Sequence, residues 1–154
     1  MPSRNLAALP QCNCLALRQA ARHVTQFYDQ YLAPTGLRST QLSILAKLHG
    51  LGPMTINALA RDLVMDRTTL GRNILPLERE GLIAVAEGRS DRRSKELQVT
   101  AAGAARLRAA AKRWAQAQTR FEAVFGGNRT AELRAILHAV ATSDFGAAGS
   151  RARE

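Results

Sequence analysis

Residues 66–103 read DRTTLGRNILPLEREGLIAVAEGRSDRRSKELQVTAAG, and the spacing of their apolar and turn residues decides the fold. Asp66 is placed to cap a helix whose Leu70, Ile74 and Leu77 recur at helical spacing and point inward. The opposite face presents Thr68, Arg72 and Arg79, with Thr69 beside them. Pro76 removes the amide that would bond to Arg72, which predicts a kink or a tightened last turn, and Gly81 ends the helix. Ile83 and Val85 alternate with smaller or polar neighbours, Gly88 to Arg93 is polar and basic, and Leu97 and Val99 alternate again. That is the pattern of a hairpin with a long tip.

Just upstream, Thr55 is placed to cap a short helix carrying Leu59, Ala60 and Leu63. Two short helices joined by a tight turn and followed by a basic hairpin predict a winged helix-turn-helix, whose second helix enters the DNA major groove. Hydroxyls at a helix N-terminus bond phosphates or base edges, and an Arg one turn on reaches guanine O6 and N7 with two donors, so Arg72 is the best candidate for base reading. The bland alternative is that Thr68 and Thr69 serve only the first turn and Arg72 is an ordinary solvated side chain.

Further out, Leu17, Ala20, Ala21, Val24, Phe27, Tyr28 and Tyr31 form the stripe of an amphipathic helix between Leu15 and Leu32, stopped by Pro34 and Gly36. A second helix, capped by Ser39 or Thr40, turns Leu42, Ile44, Leu45 and Leu48 inward before Gly50 and Gly52-Pro53 break it. After Thr100, Leu107, Ala110, Trp114, Ala117, Phe121 and Val124 repeat as a seam suited to packing on another helix, ended by Gly126-Gly127. A last helix, capped by Asn128 or Thr130, carries Leu133, Ile136, Leu137 and Val140, with Phe145 as a further candidate at its end. The fold class is thus mainly α with a small β-hairpin wing, a winged helix-turn-helix plus a helical dimerisation region. The divisions are an N-terminal arm and first helix (1–37), a DNA-binding lobe (38–100), C-terminal dimerisation helices (101–146) and a mobile tail (147–154).

The run from Asp91 through Gly103, preceded by a helix from Asp66, the Gly81 break and a strand, resembles the MarR family of bacterial transcription regulators. That family's wing reads Asp-x-Arg, then a strand, then Thr-x-x-Gly opening a long helix, and Asp91, Arg93, Thr100 and Gly103 match each point. The likeness spans Leu15 to Val140. The resemblance implies that Arg93 enters the minor groove while Asp91 holds the tip through an ion pair, and a narrow groove does concentrate the negative potential that attracts Arg. Arg89 and Arg92 would supply phosphate contacts. The candidate DNA-binding set is Ser39, Thr40, Arg67, Thr68, Thr69, Arg72, Arg89, Asp91, Arg92 and Arg93.

Family members are dimers whose first and last two helices interlock, so the resemblance implies a homodimer interface using Leu17, Val24, Trp114, Phe121, Leu133, Leu137 and Val140. Packing within one chain is the alternative use of the seam. Two recognition helices would then face one pseudo-palindromic duplex. The resemblance also implies a repressor released by a small aromatic or anionic effector, for which Arg22, His23, Gln26 and Tyr28 offer polar groups on the first helix; each is equally at home on a surface or an interface. Some family members sense oxidants through a Cys near the first helix, which makes Cys12 and Cys14 candidates for a thiol-based switch, with unreactive thiols as the alternative.

Composition sets the limits. The 154 residues hold 46% apolar and 22% charged residues, enough to bury one core and close to the globular average. The 22 Lys and Arg against 12 Asp and Glu leave +10, which favours nucleic acid over an anionic membrane as partner; solubility or an Arg-rich genome is the bland account of the same charge. No apolar run approaches a membrane span and the start lacks the form of a signal peptide, so a cytoplasmic protein is expected. Two cysteines at this spacing make neither a disulfide framework nor a zinc site. His23, His49 and His138 are scattered, with no phosphate loop or nucleophile elbow, so no enzyme, metal or cofactor is expected. A sequence-indifferent architectural DNA-binding protein remains the competing binding class.

Overall fold

The structure, a computed structural model, describes residues 8–146. The tail assigned to 147–154 and the first seven residues lie outside it. Helix α1 is Asn13–Leu32 and α2 is Ser39–Leu51; strand β1, Met54–Thr55, leads into α3, Ile56–Asp62, and α4 is Arg67–Arg79. Strands β2, Ile83–Glu87, and β3, Lys95–Val99, precede α5, Ala101–Phe125, and α6, Gly127–Thr142. The winged helix-turn-helix anticipated from the sequence is what forms.

The wing is three-stranded. β2 and β3 pair antiparallel with Val85 opposite Leu97, and β3 also takes β1 on its other edge, with Met54 opposite Leu97 and Thr55 opposite Glu96. Two residues are too short to show an alternating pattern, so β1 is an addition to the expected hairpin. The strand order β1-β3-β2 ties the wing to the residue that caps α3, since the Thr55 hydroxyl accepts from the Ala58 amide at 3.2 Å.

Two compact units divide the chain after Ala117. In the first, Ile44, Leu45 and Leu48 of α2, Leu59 of α3 and Leu70, Ile74 and Leu77 of α4 form one core with Leu32, Leu82, Ile83, Leu97 and Ala110. Burying a Leu-sized side chain stabilises by about 1.5–3 kcal/mol, so this cluster dominates the fold's energetics. The opening of α5 is fixed by Thr100, whose hydroxyl donates to the Gly81 carbonyl at 2.6 Å and accepts from the Gly103 amide at 3.0 Å. Gly103 admits no side chain, because a Cβ there would lie 2.1 Å from the Leu82 carbonyl oxygen. The Thr-x-x-Gly element is therefore a splice that seats the long helix on the end of α4.

Several local expectations need correction. Helix α2 is not capped by Ser39 or Thr40. Arg38 occupies the cap position, its amide donates to Gln41 Oε1 at 3.0 Å, and the Ser39 amide donates to Asp29 Oδ1 from α1 at 2.7 Å. A carboxylate from a neighbouring helix is a stronger acceptor than a local hydroxyl at a helix N-terminus. The second helix of the motif is not short, because α4 runs 13 residues and continues three residues past Pro76. Only Gly126, at φ 98°, breaks the chain between the last helices; Gly127 already begins α6. Neither Asn128 nor Thr130 caps that helix, since both lie inside it and the Thr130 hydroxyl donates back to the Gly126 carbonyl at 2.8 Å.

The turn between α3 and α4 is a Schellman closure with an unusual occupant. The Met65 amide donates to the Ala60 carbonyl at 2.8 Å and the Val64 amide to the Arg61 carbonyl at 3.2 Å. Val64 takes the left-handed position at φ 51°, where a β-branched residue is strained. In the second unit, Phe125 packs 5.6 Å from Phe121 and receives the Arg129 guanidinium on its ring at 4.4 Å.

Candidate nucleic-acid interface

Helix α4 presents its outer face because its inner one is wholly consumed. Leu70 and Leu77 are fully buried and Ile74 nearly so, which turns Thr68, Arg72 and Arg79 to solvent, and Arg67 at the first position of the helix is exposed as well. Its first turn is built by Asp66: Oδ1 accepts from the Thr69 amide at 2.8 Å and Oδ2 from the Thr69 hydroxyl at 2.6 Å. The Thr69 hydroxyl, then its amide, hold the Asp66 carboxyl below its ordinary range. Thr69 has thus committed its hydroxyl proton to the cap, and Thr68 is the hydroxyl donor left on that turn. Asn73 spends its amide on the Thr69 carbonyl at 2.8 Å.

The wing tip is locked by hydrogen bonds, and the expected Asp91 ion pair is corrected accordingly. Asp91 Oδ1 accepts from the Arg93 amide at 2.9 Å, while the Asp91 carbonyl accepts from the Ser94 amide at 3.0 Å and hydroxyl at 2.8 Å. The ion pairs among the described residues are Lys47–Asp62, Arg106–Glu80 and Arg134–Glu122, none on the wing. A backbone amide two residues on lies within reach of a short Asp side chain, whereas a guanidinium drawn back to it would leave the tip. Gly88 closes the loop with its amide on the Ser94 carbonyl at 2.8 Å, and a Cβ there would lie 2.6 Å from the Asp91 carbonyl oxygen. Arg89, Arg92 and Arg93 consequently stand exposed on a fixed support.

The remaining candidates are scattered. Ser39 and Thr40 are half-buried at the start of α2, and the Ser39 amide is spent on Asp29. On α1, Arg22, His23 and Gln26 are exposed within about 100° of arc, while Tyr28, half-buried against Phe27 at 5.4 Å, lies about 120° round from Arg22. The four do not share a face. Cys12 precedes α1, Cys14 is its second residue, and both thiols are exposed. Leu17, Trp114, Leu137 and Val140 are exposed and Val24, Phe121 and Leu133 half-buried. A shallow depression of about 500 Å³ lies elsewhere, lined by Asn57, Ala60, Arg61, Val64 and Met65.

Sequence reading missed Arg106, whose Nη1 donates to the Thr35 carbonyl at 3.1 Å and to Glu80 Oε2 at 3.2 Å. Its partners lie 71 and 26 residues away, so no local pattern signals it. Among the described residues no helix is long and apolar enough to cross a membrane, and no three His, Cys, Asp or Glu gather as metal ligands.

This geometry, an outward helix face beside a basic wing, agrees with the comparisons. The MarR family's sequence profile matches residues 37–95. The chain is 35% identical to the Mycobacterium tuberculosis transcriptional regulator MosR in complex with DNA, over 84% of this chain and 93% of that one, with a TM-score of 0.75. It is 27% identical to the transcriptional repressor CouR bound to a 23-mer DNA duplex, over 87% and 95%, with a TM-score of 0.77. CouR from Rhodococcus jostii RHA1 has also been solved with p-coumaroyl-CoA. An uncharacterised HTH-type transcriptional regulator of Bacillus subtilis, YwoH, is 33% identical over 84 residues, 54% of this chain, and the match spans 61% of that relative's length. The chain belongs to the MarR family, and it is a DNA-binding transcription regulator.

Proposed function

We propose that two copies of the chain bind one pseudo-palindromic duplex, act as a cytoplasmic repressor rather than an enzyme, and let go when a small aromatic or anionic effector binds. The observation that carries this reading is the outward face of α4 and the wing. Thr68 and Arg72, with Arg89, Arg92 and Arg93, are exposed, and no carboxylate pairs with these arginines among the described residues. Thr68 and Arg72 read base edges in the major groove, Arg93 enters the minor groove, and Arg67, Arg89 and Arg92 contact phosphates. Thr69 and Asp91 act as supports, and Ser39 and Thr40 approach the backbone at the start of α2.

A second copy covers Leu17, Val24, Trp114, Phe121, Leu133, Leu137 and Val140, which sets half-sites about 10 base pairs apart. Arg22, His23 and Gln26 offer donors for an anionic effector, in keeping with the acyl-CoA thioester bound by CouR.

Gel shifts at rising salt test this directly. Affinity falls steeply with salt for the parent; Arg93→Ala lowers the salt slope by about 2, one for each copy, and Arg72→Ala relaxes the preference at the base pair it reads. Unchanged binding of both variants overturns the assignment. A preference of about 10³ or more over bulk DNA separates a regulator from an architectural protein.

Oxidant sensing by Cys12 and Cys14 is a second reading, favoured by the exposure of both thiols beside α1. Full release by peroxide of a variant carrying both Cys12→Ser and Cys14→Ser ends it.

A further inference from the structure

One apolar side chain stands where the charged face of α4 offers it nothing to pack on. Leu75 is 49% exposed, although the helix buries its other large aliphatic residues, Leu70, Ile74 and Leu77, almost completely. At 100° per residue, Thr68, Arg72, Leu75 and Arg79 fall within about 60° of arc, with Leu75 at one edge of the outward stripe and between Arg72 and Arg79 along the axis. The arginines on either side, at positions 72 and 79, are exposed and form none of the ion pairs found among the described residues. A lone exposed leucine on a mixed surface is ordinary. On this stripe it separates two unpaired cations aimed at a polyanion.

We propose that Leu75 is a specificity-determining residue that packs on the 5-methyl group of a thymine in the major groove. The proposal rests on the assignment of α4 as the reading helix. In that groove thymine alone among the four bases offers a methyl group, and an aliphatic side chain is its natural partner. Leu75 lies about 4.5 Å further along the helix axis than Arg72, comparable to one base-pair step of about 3.4 Å. The thymine is therefore one or two steps from the guanine that Arg72 reads. Charge brings the stripe to the duplex, and the aliphatic group then discriminates by contact, with no polar atom of its own to leave unpaired.

The test uses the full-length protein and a duplex selected by it from a random pool. Each thymine is replaced by uracil, symmetrically in both half-sites, which deletes only the methyl group. At one symmetric position the parent protein should lose about four-fold in affinity per half-site, about fifteen-fold for the pair, the value of one buried methyl group. Leu75→Ala should keep the parent's melting temperature, because the side chain is outside the core, and should bind the thymine and uracil duplexes equally. The proposal is overturned if the parent binds every uracil duplex as tightly as the selected one, or if Leu75→Ala discriminates as the parent does. Failure to enrich any duplex over bulk DNA would instead strike at the α4 assignment itself, so the two failures are distinct.

Discussion

Arg106 Nη1 lies 3.2 Å from Glu80 Oε2, so the residue that closes α4 is held by the long helix that follows the wing. The same nitrogen donates to the Thr35 carbonyl in the turn between α1 and α2. Three segments distant in sequence thus meet on one guanidinium nitrogen, whose two N–H groups serve two acceptors at once.

Replacing Arg106 by Ala should separate stability from binding. The pair with Glu80 is a partly exposed one, its side chains 34% and 47% accessible, so its loss costs about 1 kcal/mol or less. Affinity for the selected duplex should fall further, about ten-fold, because α4 loses a fixed bearing on α5. Thermal melting and gel shifts on one preparation check this; a variant that binds DNA like the parent refutes the coupling.

The Asp66 cap predicts a pH dependence. Its carboxyl is held below its ordinary range by the Thr69 hydroxyl and amide, so the folded state binds this proton less readily than the unfolded chain. The stabilisation is then fully present above the unfolded value of about 4 and fades as pH falls through the lower folded value. Asp66→Ala should melt below the parent at pH 7, and the gap should narrow on acidification below about pH 4. A gap that widens in acid contradicts the cap.

Val64→Gly should stabilise the protein. Val64 stands at φ 51° and is 72% exposed, so its side chain contributes little burial while its backbone is strained. Relief of about 1–2 kcal/mol exceeds the extra unfolded-chain entropy of glycine, leaving a gain of about 1 kcal/mol. Denaturant titration reads it as a higher midpoint, and a lower midpoint contradicts the strain.

Two glycines should respond oppositely to alanine. Gly103→Ala drives a Cβ to 2.1 Å from the Leu82 carbonyl oxygen, and neither backbone can move alone, so a loss of about 3 kcal/mol or more is expected. Gly71 lies inside α4 with nothing within 4 Å of the added carbon, so Gly71→Ala should raise stability by about 0.5–1 kcal/mol through helix propensity. Chemical denaturation of the pair checks both signs.

The parts legible in the sequence were those with local causes. Asp66 and Thr55 announce their helices because a cap acts on amides three residues away. Leu70, Ile74 and Leu77 show the buried face through spacing alone. The parts that escaped depend on distant partners: β1 exists only because β3 lies beside it, Arg38 opens α2 because Asp29 reaches across from α1, and Arg106 reaches 71 residues back. Asp91 stands out in the sequence, yet its effect runs through amides rather than through a guanidinium. The apolar spacing of α6 was equally visible, but a repeat does not say what it packs on, and Ile136 and Leu137 are exposed in the isolated chain.

The wing tip closes on itself through Asp91, Ser94 and Gly88, and none of its arginine side chains takes part in that closure. Evolution is thereby left a cassette in which cationic side chains can be gained or lost without disturbing the scaffold. A lineage, or an engineer, retunes how firmly the regulator clings to the genome by exchanging one arginine at a time.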